Sequence, residues 1–221
     1  QGCAASNIAL ADIDLIMNAC LNEPMTGYSY GGSNGLLILS SEPIEKTRFE
    51  LFLSFLTARG ALFAKTHGLD IACTHLSSEL KAPVYSGKYG SYALENESQL
   101  GNILTILEER SSGQPQILVG DLNTGPSGIG LKEELPNSWA LIEKGGWSHP
   151  NTAQDKPLCT WCADNKITSG SSSQAIDHVL VKNATGANPV RLWGGELMFT
   201  DSDGKSITTS YSDHFGLSVT V

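Results

Sequence analysis

The sequence predicts a layered α+β sheet protein. Apolar runs of strand length outnumber helical ones, two of them are separated by only a short turn, and a long amphipathic helix stands among them. The chain has 221 residues, with no internal repeat and no linker that would divide it. Residues 1–221 therefore read as a single domain, and 40% hydrophobic residues suffice for a core.

Taken in order, Ile8, Ile13, Ile16, Met17, Cys20 and Leu21 recur at helical spacing from Asn7 to Leu21, with Ser6 as N-cap and Pro24 as the stop. Gly27 to Gly35 is a Gly/Tyr/Ser-rich loop. Leu36–Leu39 reads as a strand ended by Ser40-Ser41-Glu42-Pro43, and Glu50–Leu56 as a further strand. Ala61–Thr66 and Leu69–His75 form a hairpin about His67-Gly68. Ala82–Ser91 is loop-like. Leu94–Glu109 places Leu100, Ile103, Leu104, Ile106 and Leu107 on one face, with charged residues opposite. Gln114-Pro115 punctuates the chain before the buried strand Ile117-Leu118-Val119. Gly120 lets the backbone turn, and Asp121 and Asn123 follow on the same side of an extended chain. Trp139–Trp147 predicts a short helix and turn, and 151–173 is polar and irregular. Ala175–Val181, Val190–Phe199 and the last residues predict strands.

Lys+Arg number 14 against Asp+Glu 23, giving a net charge of -9, which disfavours a passive nucleic-acid coat. An enzyme that meets phosphates through a bound cation stays open, because the metal inverts the local sign. No apolar run is long enough to span a bilayer. The start, Gln1-Gly2-Cys3, has neither an initiator Met nor a signal-peptide pattern, and reads as a processed or trimmed piece. Of the 5 cysteines, Cys73 lies in an apolar run and reads as a small buried hydrophobe. Cys3, Cys20, Cys159 and Cys162 offer disulfides rather than a zinc site, which would need further ligands. With the acceptor triplets at Asn96 and Asn183, this tilts the reading toward a secreted protein.

Polar clusters then stand out at strand ends: Thr74-His75-Leu76, Gly120-Asp121-Leu122-Asn123, Ile176-Asp177-His178 and Ser212-Asp213-His214. Each alone is ordinary turn chemistry. Together they supply the carboxylate, amide and imidazole groups that hold a hard cation or a phosphate oxygen. In this order the clusters resemble the endonuclease/exonuclease/phosphatase superfamily, which includes deoxyribonuclease I and the neutral sphingomyelinases. Gly35–Ile44, Arg59-Gly60-Ala61-Leu62 and Gln99-Leu100 resemble further family motifs. Cys159-Thr160-Trp161 and Asp164-Asn165 resemble a loop of its sphingomyelinase-like branch.

The resemblance implies a four-layer α/β sandwich with two central, mostly antiparallel sheets flanked by helices. It implies divalent-metal-dependent attack of water on a phosphoester, with Mg²⁺ as the cation and Mn²⁺ or Ca²⁺ as substitutes. His214 would be the general base or acid and Asp177 its orienting carboxylate. His75 would bond a phosphate oxygen or protonate the leaving group. Asp121 and Asn123 would position water, phosphate or metal, and Asp213 would be a metal-side carboxylate. His178 matches a variable position and reads as structural.

The chain departs from the family at its start. The family's first strands carry an Asn and a metal-binding Glu upstream of the Gly35 strand. Leu21-Asn22-Glu23 resembles the Glu motif superficially, but within a helical periodicity. The expected alternative is an amino-terminal segment cleaved from the same precursor and retained as a second chain through Cys3 or Cys20. The leading expectation is a secreted, metal-dependent phosphodiesterase acting on a sphingolipid or phospholipid headgroup or on nucleic acid. Lys81, Lys88 and Arg191 are local basic groups for the latter, and no aromatic-rich hairpin for lipid insertion is legible. The alternative is a catalytically inactive member used as a binding or structural module.

Overall fold

The computed structural model describes residues 35–110, 113–168 and 170–221. The expected helix over 7–21 and Glu23 lie outside them. The fold is α+β, with sheet predominating. Strands β1 (Ile44–Phe52), β2 (Arg59–Thr66), β3 (Leu69–His75), β4 (Gln116–Asp121) and β5 (Asp177–Lys182) form a five-stranded sheet in chain order. All its pairings are antiparallel except β3–β4. That parallel pair requires a crossover, which helix α1 (Tyr92–Arg110) supplies. Helix α2 (Pro136–Lys144) packs beside α1. Strands β6 (Ala187–Leu192) and β9 (Gly216–Thr220) form one antiparallel pair, and β7 (Glu196–Thr200) and β8 (Ser206–Ser210) another.

The register divides the large sheet into two faces. Ala61, Phe63, Ala72, Leu118 and Leu180 point to one face and meet Leu100, Ile103, Ile106 and Leu107 of α1 and Trp139 and Ile142 of α2. Ser91 caps α1, its Oγ accepting from Leu94 N at 3.1 Å. The helix is amphipathic in two senses, because its first turns also turn polar groups inward. Glu95, Asn96 and Gln99 are all nearly inaccessible. Asn96 Nδ2 donates to Ser77 O and Leu122 O at 2.6 and 2.9 Å. This corrects the reading of Asn96 as a glycosylation acceptor, whereas Asn183 is exposed.

Other boundaries differ from expectation for local reasons. The strand expected over Leu36–Leu39 is not formed among the described residues, and Leu37 and Leu39 are exposed there. β1 begins at Ile44 and ends at Phe52, earlier than the expected Glu50–Leu56, following its register with β2. α2 starts at Pro136, favoured at the first helical position, and stops at Gly145-Gly146, where Gly146 has φ +70. The single strand expected over Val190–Phe199 is two strands, broken where Trp193 takes φ 58 before Gly194-Gly195. The β7–β8 hairpin exposes Leu197, Met198 and Phe199, with Trp193 exposed before it. An apolar hairpin is therefore present that the sequence reading did not find. Cys159 and Cys162 form a disulfide, and Cys73 is half-buried with a free thiol.

Gly120 occupies φ +128, and a Cβ there would stand 1.9 Å from Thr74 O. Gly120→Ala should therefore cost about 3 kcal/mol or more of stability, measured as a lowered urea midpoint, since the β3–β4 contact must open. His178 is buried against Trp139, ring centroids 4.9 Å apart, with Nε2–H donating to Thr124 O at 2.8 Å. Burial lowers its pKa to about 4. The unfolded chain takes up a proton at about pH 6.5 that the folded chain refuses until about 4. The stability contributed by neutral His178 is thus complete above the first value and lost as pH falls toward the second. Between them the loss should be roughly 3 kcal/mol, and His178→Gln should flatten that part of the stability–pH curve.

Candidate active site

The strand register builds the site. His75 pairs with Asp121 across β3–β4, and Asp121 pairs with Asp177 across β4–β5. Three side chains thus share one row on the sheet face opposite the helices. Asn123 joins them differently from expectation. The chain is not extended there, since Asn123 has φ 49. Its backbone N–H bonds Asp121 Oδ1 at 2.9 Å, and its Nδ2 donates to Leu76 O at 2.9 Å. A turn, rather than strand alternation, brings the amide beside the carboxylate.

His214 arrives from the loop before β9. Its Nδ1 lies 2.7 Å from Asp177 Oδ2 and its Nε2 4.0 Å from Asp121 Oδ2. The irregular segment after α2 straps this pair together. Thr160 Oγ1 accepts from the backbone N–H groups of Ile176 and Asp177 at 3.1 and 3.0 Å. Thr160 O accepts from Phe215 N at 2.8 Å, and the Trp161 ring stands edge-on to His214 at 5.0 Å. One buried threonine therefore fixes both halves of the Asp177–His214 dyad. His75, Asp121, Asn123 and His214 line a cleft of about 570 Å³, with Arg59, Lys81, Lys132, Trp161 and others.

The electrostatics set these groups apart. Burial, followed by the positive charge of Arg59, lowers His75 to about 4. The 3.2 Å approach of its Nε2 to Asp121 Oδ2 is consequently not an ion pair at neutral pH. Burial, then the nearby charge of Asp177, push Asp121 well above the usual carboxylate range. For His214, burial opposes protonation, but the hydrogen bond and charge of Asp177, with Asp121 and Asp213 behind, outweigh it and raise the group to about 9.

Of the residues singled out in the sequence, His75, Asp121, Asn123, Asp177 and His214 come together. Asp213 is exposed, its Oδ1 accepting from Ser212 Oγ at 3.1 Å, and it is not among the cleft-lining residues. Arg191 is committed elsewhere. It touches both disulfide sulfurs at 3.5 Å, pairs with Asp164 and covers the Phe215 ring. Lys88 is exposed, and Lys81 is exposed at the cleft. The sequence reading missed Arg59 as a site residue. Its signals were its place in the family-like stretch Arg59-Gly60-Ala61-Leu62 and a charge opening an otherwise apolar strand.

Residues 5–214 match the model of the Endonuclease/Exonuclease/phosphatase family. The chain belongs to this family. No protein of curated function matches it in sequence. Among solved structures it is similar to sphingomyelinase C from Streptomyces griseocarneus, at 19% identity and TM-score 0.56, covering 80% of this chain and 64% of that one. It is similar to beta toxin from Staphylococcus aureus, solved as a mutant with bound magnesium ions, at 14% identity and TM-score 0.60, covering 81% and 65%. It also resembles TDP2 from C. elegans, at 14% identity and TM-score 0.52, covering 80% and 50%. The chain thus spans less than two thirds of the length of each of these structures, and at such identities the likeness is one of fold.

The Asp177–His214 contact has a direct spectroscopic test. In metal-free protein, Asp177→Asn removes the charge that raises His214 while its burial remains. The His214 ring resonances should then titrate well below the native value of about 9, read by proton–carbon NMR. An unchanged titration would mean that Asp177 does not hold the ring.

Proposed function

We propose that this chain is a secreted, divalent-metal-dependent phosphodiesterase that cleaves its substrate with activated water. The observation that carries the reading is the 2.7 Å Asp177–His214 contact standing over the in-register row of His75, Asp121 and Asp177. An imidazole whose one nitrogen is held by a carboxylate presents its other nitrogen in a fixed tautomer and orientation, with raised basicity.

In this reading His214 Nε2 takes the proton of the attacking water, and Asp177 stabilises the imidazolium that forms. His75, neutral at working pH, donates a hydrogen bond to a phosphoryl oxygen or a proton to the departing oxygen. Asn123 positions water or phosphate beside Asp121. The donor set suits a hard cation, because Asp121 is a buried carboxylate crowded by a second one and lacks a full compensating charge. Asp121 would hold Mg²⁺, Mn²⁺ or Ca²⁺, and Asp177 offers a second carboxylate within ligating reach of the same point, whereas Asp213 lies outside the cleft lining. Such a cation, when bound, neutralises charge developing on the phosphoryl group. With Asp121 so committed, His214 loses one of the negative charges that raise it and moves toward the range in which a base works.

The substrate class follows from the surface. A net charge of -9 repels a polyanion, whereas exposed Trp193, Leu197, Met198 and Phe199 offer apolar contact. A lipid phosphodiester, such as a sphingolipid or phospholipid headgroup, is favoured over nucleic acid. The Cys159–Cys162 disulfide supports an oxidising compartment, in keeping with secretion.

Hydrolysis of bis(p-nitrophenyl) phosphate with Mg²⁺ or Mn²⁺, and with EDTA, tests the reading. Turnover should require the metal, and His214→Ala should lower kcat by about 10²- to 10⁴-fold. No turnover with this ester, sphingomyelin or DNA would favour a binding module instead.

A further inference from the structure

Arg59 is a charge at the cleft that the chemistry above leaves without a role. It opens β2 at the point where separate cavities meet. It lines the main cleft with His75, Asp121 and His214. It also borders an apolar pocket with Phe49 and Leu51, and a small cavity with Ser77 and Glu95. A guanidinium stays charged in any protein, so burying one without a partner is costly. Yet Arg59 Nε is buried with no hydrogen-bond partner, and the side chain forms no ion pair among the described residues.

The acids whose charge reaches Arg59 are Asp121 and Glu95, and both are already engaged. Glu95 Oε2 accepts from Phe55 N and the Tyr85 hydroxyl, and its Oε1 from Ser77 Oγ and Gln99 Nε2. Asp121 Oδ1 accepts from Asn123 N, and its Oδ2 faces His75 Nε2. The other cations lining the cleft, Lys81 and Lys132, are exposed and solvated. Arg59 is therefore a donor fork at the cleft whose natural complement, an oxyanion, is not supplied by any side chain among the described residues.

We propose that Arg59 is the anion anchor of the cleft, its planar fork taking the non-bridging oxygens of the bound phosphoryl group. The inference rests on the phosphodiesterase reading for its substrate, but the anion site stands or falls without turnover. Arg rather than Lys at this position fits bidentate recognition, since an ammonium offers only a point charge. The adjoining apolar pocket, which shares Arg59 and His75 with the cleft, leaves room for an apolar ester arm beside the anchored phosphate.

Calorimetric titration with inorganic phosphate at fixed Mg²⁺ tests this on the full chain, its Arg59→Gln variant and its Arg59→Lys variant. Arg59→Gln should weaken phosphate binding about 10- to 100-fold, and Arg59→Lys by less but measurably. In the ester assay KM should rise in similar proportion to the loss of phosphate affinity, with kcat changing less. A thermal midpoint that falls while phosphate affinity stays at the wild-type value would make Arg59 a structural residue and overturn the proposal. Failure of the wild-type chain to bind phosphate would overturn it too. If Arg59→Gln does not fold, Arg59→Lys decides, and wild-type affinity in that variant refutes the fork. Arg59-dependent phosphate binding without turnover of any ester would sustain the anchor while sinking the hydrolase reading.

Discussion

The site depends on a buried polar trio in the first turns of α1. Glu95, Asn96 and Gln99 reach inward from a helix that is otherwise packed by aliphatic side chains, and together they tie down three stretches of loop. Glu95 holds Phe55 N after β1, Gln99 Oε1 holds Ser77 N after β3, and Asn96 bridges Ser77 O and Leu122 O. The last two stretches follow His75 and Asp121 directly. These bonds satisfy loop backbone groups that would otherwise be orphaned, while Asn96 Oδ1 itself is buried without a hydrogen-bond partner among the described residues. The helix dictates where two strands end, and thereby where their terminal side chains stand.

A second constraint acts from the other side of the dyad. Thr160 binds the backbone at Ile176 and Asp177 through its hydroxyl and the backbone at Phe215 through its carbonyl. Asp177 and His214 are far apart in the chain, so their 2.7 Å contact needs such an intermediary. The Cys159–Cys162 bridge encloses Thr160, and Arg191 lies across both sulfurs and the Phe215 ring. An irregular segment is thus made rigid by short covalent and polar ties rather than by regular structure. The electrostatic outcome is a division of labour: burial and then the charge of Arg59 drive His75 toward neutrality, while for His214 the hydrogen bond and charge of Asp177 outweigh burial and drive it toward charge.

Much of this was legible in the residues. The β2–β3 hairpin, α1 and β4 follow from periodicity and turn chemistry, and the clusters at strand ends mark the cleft. What escaped was information carried by tertiary partners. Asn96 sits in a triplet that looks like a surface acceptor, and only the packing of α1 on the loops shows it buried. Arg59 stands out only as part of a family-like strand, and nothing in the sequence shows that its charge faces the cleft. Arg191 is the converse, a charge that looks available and is spent on the disulfide loop. The break at Trp193 depends on a left-handed backbone that an aromatic residue rarely adopts, so the sequence reading joined two strands into one.

The alignment of His75, Asp121 and Asp177 across three adjacent strands makes the cleft an all-or-none readout of assembly. Side chains alternate between the faces of a sheet, so a pairing error of one residue between β3 and β4 would send His75 and Asp121 to opposite faces. The same slip would put Ala72 and Leu118 on opposite faces, so the core under the helices and the row over the cleft are lost together. Such a species would hold no dyad opposite a histidine and no common floor for a phosphate. Under the phosphodiesterase proposal such molecules would be silent rather than impaired, and specific activity per mole would count correctly registered sheets.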